Sequence, residues 1–280
     1  MQSSRKKVLI TVATYPLPSR SYEELVCTAG ILEDGSWIRI YPVPLSFIKG
    51  LREGGQTESY KYNWIELDLK KRTDDFRPES HSPVNYDFRD IQLLNKIGTK
   101  NGWGNRKEIC LKEVFHSLGD LIKLSKKPNF KSLATFKPRK LLDFVIREDD
   151  REWKKEWQDQ LSQLQLFDNQ FDSSSNPRKL IRKLPYKFYY RFEDFEGRKS
   201  MLMIEDWEIG ALYWNCLKQC DGDELKALEK VKAKYWDNFQ QLDIYLFLGT
   251  TKEWHARNAP NPFVIIGVFY PPYDPQLSLF

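Results

Sequence analysis

The chain has 280 residues, and its 44 Lys and Arg against 39 Asp and Glu give a formal charge of +5. At 30% charged and 41% hydrophobic residues, the composition is that of a globular protein and excludes a disordered or fibrous chain. No apolar run reaches the ~18 residues of a membrane span, and MQSSRKKVLITVATYP reads as a basic start leading into a strand rather than a signal peptide. The cysteines (Cys27, Cys110, Cys216, Cys220) form no CxxC pair and no zinc-like spacing with histidine, as expected of reduced thiols in a cytoplasmic protein.

In chain order, KVLITVA (7–13), ELVCTAGIL (24–32) and SWIRIY (36–41) read as strands, with Glu33-Asp34-Gly35 as the tight turn between the last two. Pro42 and Pro44 interrupt the sheet, and strand character resumes over 60–70. Residues 71–90 lack periodicity and predict a long surface loop. Two helical pieces fill 105–125, and 132–147 returns to strand character. Trp153, Trp157, Leu161 and Leu164 recur at helical spacing and predict an amphipathic helix over about 149–166, followed by a polar connector at 168–177. A hairpin around Glu196-Gly197, helices over 206–219 and 223–241, and strands at 243–249 and 262–270 complete the pattern. The fold expected is α+β. Its divisions are a β-rich domain at 1–147, a helix and connector at 148–177, an α+β domain at 178–270 and a proline-spaced tail at 271–280.

Charge is unevenly spread. Residues 121–142 hold Lys123, Lys126, Lys127, Lys131, Lys137, Arg139 and Lys140 with no acid, and 178–192 hold Arg178, Lys179, Arg182, Lys183, Lys187 and Arg191, again with none. Such runs can neutralise phosphates, although many only solvate a surface. Alternation places Trp37, Arg39 and Tyr41 on one face of SWIRIY, and Lys187, Tyr189 and Arg191 on one face of YKFYYRF. Rings set between cations can stack bases while the cations hold the backbone. A basic, β-rich module of this kind resembles small nucleic-acid-binding barrels of the PUA-like type, which implies a partly closed barrel in the first half.

Glu66, Asp68 and Lys70 alternate in WIELDLK and share a sheet face, an arrangement similar to the D…(D/E)-x-K pattern of metal-dependent nucleases. That resemblance implies catalysis by these three residues with Mg²⁺; an alternating polar face on a half-exposed strand explains the same residues more simply. No other cofactor or metal is indicated, and no P-loop, GxGxxG, GxSxG or HExxH occurs. Glu205, Asp206 and Glu208 fit the start of a helix, and Thr250, Thr251, Lys252, His255 and Arg257 gather in one loop.

The last stretch, VFYPPYDPQLSLF, joins a proline-stiffened spacer to Gln276, Leu277, Ser278, Leu279 and Phe280. These five residues resemble the peptide by which bacterial polymerases and repair proteins bind the DNA sliding clamp. The resemblance implies a partner bound through Gln276, Leu277, Leu279 and Phe280, with Gln276 as the polar anchor and Leu279 and Phe280 filling an apolar pocket. A second copy, QLQLF at 163–167, shares Leu164 with the helical stripe and reads as structural. The expectation is a cytoplasmic, bacterial protein that binds nucleic acid, most simply DNA, and reaches it through the clamp, in repair, replication control or phage defence. The alternatives are a nuclease, or an adaptor that touches no nucleic acid.

Overall fold

The computed structural model describes residues 3–15, 17–18, 24–44, 60–86, 90–155 and 182–274. The first half is a closed barrel built from β1 (Ser3–Ala13), β3 (Glu24–Leu32), β4 (Trp37–Pro44), β5 (Asn63–Lys71) and β6 (Ser80–Pro83). Hydrogen bonding runs β1-β3-β4-β6-β5 and returns from β5 to β1, while β2 (Leu17–Pro18) and β7 (Gln92–Lys96) pair outside the ring. Every junction is antiparallel except β4 with β6. The turn into β4 forms as the sequence predicts: Gly35 takes φ +90°, Leu32 N–H donates to Ser36 O at 2.9 Å, and the Asp34 carboxylate accepts from Ser36. Gly30 is obligatory for a different reason. A Cβ there would sit 2.5 Å from Leu9 O, so β1 and β3 approach this closely only over a bare backbone.

Ile10, Val26, Ile38, Ile40, Ile65, Leu67 and Leu69 fill the barrel. A bulge between Ile10 and Val12 breaks the alternation of β1, so that Leu9 and Val12 both face outwards. The expected surface loop at 71–90 instead contains β6, and β7 follows it. SHSP carries no apolar alternation, and its pairing comes from the strands on either side of it in the ring.

The second half is a seven-stranded sheet in the order β10-β11-β12-β14-β13-β9-β8. Its strands are β8 (Val114–Phe115), β9 (Leu133–Phe136), β10 (Lys140–Glu148), β11 (Tyr186–Glu193), β12 (Lys199–Ile204), β13 (Tyr245–Thr250) and β14 (Phe263–Phe269). Residues 114–148 therefore belong to this sheet, not to the barrel. A division at 147 would part β10 from β11, with which it pairs along its length. α1 (Lys100–Cys110) follows β7, and α2 (Leu118–Ser125) lies between β8 and β9. The expected helix at 149–166, its QLQLF copy and the 168–177 connector lie outside the described residues from 156 onward.

One face of the sheet carries α2, α3 (Trp207–Gln219), α4 (Glu224–Lys232) and the π-helical and 3₁₀ turns at 233–241. Phe136, Phe188, Tyr190, Phe192, Leu246 and Leu248 lie in the core beneath them. The opposite face is shared unequally. Leu133, Phe247, Ile266 and Phe269, from β9, β13 and β14, pack against Leu9, Val12, Ile31, Trp37, Tyr62 and Trp64 of the barrel half, whereas β10–β12 add nothing to that cluster. Among the described residues no helix is long and apolar enough to cross a membrane.

Two of the contacts that join the halves lie at α3. Tyr15 lies flat on α3 where Gly210 leaves room, since a Cβ there would meet the ring at 2.4 Å. Its hydroxyl donates to Arg182 O at 2.7 Å and accepts from Trp214 Nε1 at 2.9 Å. The second contact is buried: Lys61 Nζ lies 3.0 Å from both Asp206 Oδ2 and Glu208 Oε2. Burial opposes the ammonium, but the two carboxylates outweigh it and hold Lys61 well above its usual range. Asp206 also caps α3, accepting from Glu208 N–H at 3.2 Å, the role expected from sequence. Lys61→Met, which strands Asp206 without its cation, should destabilise the protein by about 3–5 kcal/mol in urea unfolding. A loss below about 1 kcal/mol would show that the pair is incidental.

Candidate nucleic-acid interface

The half of the sheet left uncovered by the barrel is a surface whose composition alternation dictates. Phe188, Tyr190 and Phe192 point into the core, so Lys187, Tyr189 and Arg191 project from the open face, as the sequence predicts. Register places Val145 and Met203 beside Tyr189, Arg147 beside Lys187, and Asp143 and Met201 beside Arg191. The Arg147 guanidinium lies over the Tyr189 ring, 5.2 Å from its centroid. Met201, 38% exposed, adds a flexible apolar surface.

The acid-free run in sequence is not acid-free in space. Asp149 reaches Lys183 at 2.7 Å and Lys187 at 2.8 Å, Asp143 lies 3.8 Å from Arg191, and Glu193 lies 3.5 Å from Arg139. The pair of Arg191 with Asp143 is exposed and worth about 0–1 kcal/mol, so a phosphate can displace it, whereas Asp149 is more sheltered and holds Lys183 and Lys187 more firmly. Arg182 stacks on Trp214 of α3, 3.9 Å from the ring, which takes its guanidinium to the helix side. The other basic run is dispersed too. Lys137 pairs with Asp243 and covers Tyr245, Lys131 pairs with Glu113, and Lys123 pairs with Asp120. Lys126, Lys127 and Lys140 are exposed, and among the described residues none of them has a carboxylate partner. Arg178, Lys179, Gln276, Leu277, Leu279 and Phe280 lie outside the described residues.

Trp37 and Arg39 do not form the stacking face expected of them. They share a face with Tyr41, but that face is where the barrel meets the sheet. Trp37 is buried edge-on against Phe247, with centroids 5.0 Å apart, and offers no ring to a base. Arg39, 3% exposed, donates to Ser132 Oγ at 2.7 Å and more weakly to Ser80 Oγ and to the carbonyls of Ser132 and Thr250. Tyr41 is half-buried under Arg72, whose guanidinium lies 5.1 Å from the ring centroid.

At the seam between barrel and open face lies a cavity of about 430 Å³. Val12, Ala29, Val264 and Ile266 form its apolar wall, and Arg39, Tyr41, Arg72, Arg77, Lys252 and Glu205 bring polar groups to it. Arg77 donates to both oxygens of Asp75, at 2.9 and 2.6 Å, and to Thr250 O at 2.8 Å. Burial works against the Asp75 carboxylate, yet these bonds hold it well below its usual range. His255, from the loop singled out in the sequence, is buried. It hydrogen-bonds Thr250 Oγ1 at 3.0 Å and the Ser125 carbonyl, and so fixes the cavity floor. Arg72, Arg77, Asp75 and Arg147 were missed in sequence; only the alternation of KLLDFVIRE could have pointed to Arg147.

Glu66 and Asp68 lie elsewhere, on the outer face of β5. Arg5 sits across from them, 3.6 Å from Glu66 and 3.4 Å from Asp68, and Lys70 covers Tyr86. The two carboxylates thus balance a cation of the neighbouring strand. Among the described residues no group of three or more His, Cys, Asp or Glu is placed to hold a metal ion.

The fold and this seam define a two-part α+β protein in which a closed barrel masks half of one sheet face. Residues 114–280 match the family described as Domain of unknown function (DUF8757), and the chain belongs to that family. Residues 4–112 match the family described as Domain of unknown function (DUF8758). No curated protein matches the chain. It is similar to "Crystal structure of the tetrameric p202 HIN2" at 9% identity and TM-score 0.27, covering 76% of this chain and 77% of that one. It is also similar to "Structure of murine DNA binding protein bound with ds DNA" at 7% identity and TM-score 0.29, covering 98% of each chain. Neither likeness, at such TM-scores, bears on function.

Glu205 leaves β12 at the edge of the cavity, and its carboxyl has no hydrogen-bond partner among the described residues. Burial pushes it up to about 7, against the pull of nearby Lys187. Between its ordinary value of 4.5 and that raised value the native state binds more protons than the unfolded chain, so stability is lost as pH rises through this window. Glu205→Gln should stabilise the protein at pH 8 by on the order of 1–3 kcal/mol and leave it little changed at pH 4.5. Equal melting temperatures of wild type and variant at pH 8 would show that the carboxyl is well solvated.

Proposed function

We propose that the protein binds single-stranded nucleic acid across the open face of β10–β12. The observation that carries this reading is Tyr189 beneath Arg147, with Lys187 and Arg191 on the same strand to either side. A base has a π-face that can stack on Tyr189 or on the Arg147 plane, while the three cations lie along the path of a backbone. Adjacent strands are about 4.8 Å apart, so neighbouring residues across β10–β12 meet successive parts of one strand rather than the two backbones of a duplex.

Tyr189→Ala should weaken binding of a single-stranded oligonucleotide by about 1–3 kcal/mol without altering its salt dependence. If Arg147, Lys187 and Arg191 each meet one phosphate, log K should fall against log salt with a slope of about −2, and Arg191→Ala should flatten it by about 0.7. Fluorescence anisotropy at several salt concentrations measures both. A slope near zero, or affinity unchanged in Tyr189→Ala, contradicts the reading.

Recruitment to DNA by a bacterial sliding clamp belongs to the same proposal. Its support is the QLSLF pattern together with the exposure of Pro272, Tyr273 and Asp274, which lead into it. Burying Leu279 and Phe280 in a partner pocket is worth about 3–6 kcal/mol before ordering costs, which sets the affinity near micromolar. Deletion of 276–280 should abolish binding in a calorimetric titration against purified clamp and leave strand binding intact. Equal binding with and without the tail removes the clamp from the account.

A further inference from the structure

The cavity at the seam has features that the open face does not need. Arg39 is a buried guanidinium whose hydrogen bonds all go to neutral oxygens, and among the described residues no carboxylate lies within ion-pair distance of it. Its nearest compensation is indirect, through the Ser132 hydroxyl, which donates to Glu79 at 2.6 Å. Arg77 beside it is matched by Asp75, which leaves Glu79, held on Ser132 and out of contact with Arg39, as the carboxylate that offsets the Arg39 charge. A buried cation left in this state is costly, and an anion entering the cavity would relieve the cost. At the mouth Lys252 is exposed and Arg72 half-buried, and both meet the exposed Asp74 carboxylate, which an entering phosphate has to displace.

The remaining lining is not that of a bare phosphate site. Val264 and Ile266 face Val12 and Ala29, giving an apolar slot, and Tyr41 presents a ring at its edge. Glu205, held up near 7 by burial, is partly protonated at neutral pH and can both donate and accept a hydrogen bond, with no partner for its carboxyl among the described residues. A volume of about 430 Å³ is room for a heterocycle with one anionic group attached. Glu205 follows Ile204, which pairs with Phe188, so the slot opens beside Lys187 at the end of the open face.

We propose that this cavity binds one nucleotide, its base in the apolar slot by Glu205 and its phosphate among Arg39, Arg72 and Lys252. The nucleotide can be a free 5′-monophosphate or one unit of a strand. The chemistry is the same, and the site stands apart from Tyr189, so failure of strand binding on the open face would leave it untouched.

The test titrates the full chain with the four ribonucleoside 5′-monophosphates, with inorganic phosphate, and with a 5′-phosphorylated oligonucleotide, by calorimetry. The variants are Val264→Phe, which fills the slot without removing a charge, Arg72→Ala, and Tyr189→Ala; unchanged melting temperatures and near-ultraviolet dichroism certify their folds. A nucleotide should bind at least about tenfold more tightly than inorganic phosphate, and Val264→Phe and Arg72→Ala should each cost at least about tenfold, whereas Tyr189→Ala leaves mononucleotide affinity unchanged. Binding of free monophosphates with this pattern identifies the free ligand as a source. Binding of the oligonucleotide alone, weakened by Val264→Phe, identifies the strand. The proposal is overturned if neither ligand loses affinity in Val264→Phe and Arg72→Ala, or if inorganic phosphate binds as tightly as the nucleotides.

Discussion

The barrel covers half of one face of the second sheet, and the rest of the molecule follows from that unequal cover. A seven-stranded sheet with helices on one side must bury or polarise the other. Here Leu133, Phe247, Ile266 and Phe269 are buried by Trp37, Tyr62, Trp64 and their neighbours, while β10–β12 carry cations, a tyrosine and methionines instead. Aromatic area supplies the attraction, and Lys61 with Asp206 fixes the placement, because an ion pair this deep tolerates no slippage between the halves. The cavity is the line where the cover stops.

Charge separates the two surfaces by magnitude as well as place. On the open face each cation is exposed or half-buried and several touch a carboxylate, so ion pairs there are weak, exchangeable and screened by salt. In the cavity Arg39 and Arg77 are buried at low local dielectric, and their guanidiniums are held in place by Ser132, Thr250 and Asp75. The first arrangement suits a long polyanion held loosely at many points; the second suits a single group held at one.

Much of the fold was legible in the sequence because it is written in short-range periodicity. YKFYYRF sorted itself correctly into core and surface, Glu33-Asp34-Gly35 made its turn, and Asp206 capped its helix. The same rule went astray at SWIRIY, where alternation gave the right face but could not say that another sheet covers it; Trp37 and Arg39 became interior residues for that reason. β6 was missed because SHSP takes its pairing wholly from partners distant in sequence. The basic runs lost their apparent purity to Asp143, Asp149 and Glu193, which neighbouring strands and loops bring alongside. The seam cavity could not be read at all, since its lining is drawn from residues between 12 and 266.

The central claim is that the uncovered half-face, and not the rest of the surface, is where nucleic acid lies. Backbone amide hydrogen exchange of the full chain, with and without a single-stranded oligonucleotide, tests it directly because it surveys every surface at once. Added protection is expected only at 140–148, 186–193 and 199–205, with the 250–252 segment at the seam following. Protection centred instead on the outer face of β5, around Glu66 and Asp68, or on α3 and α4, would contradict it.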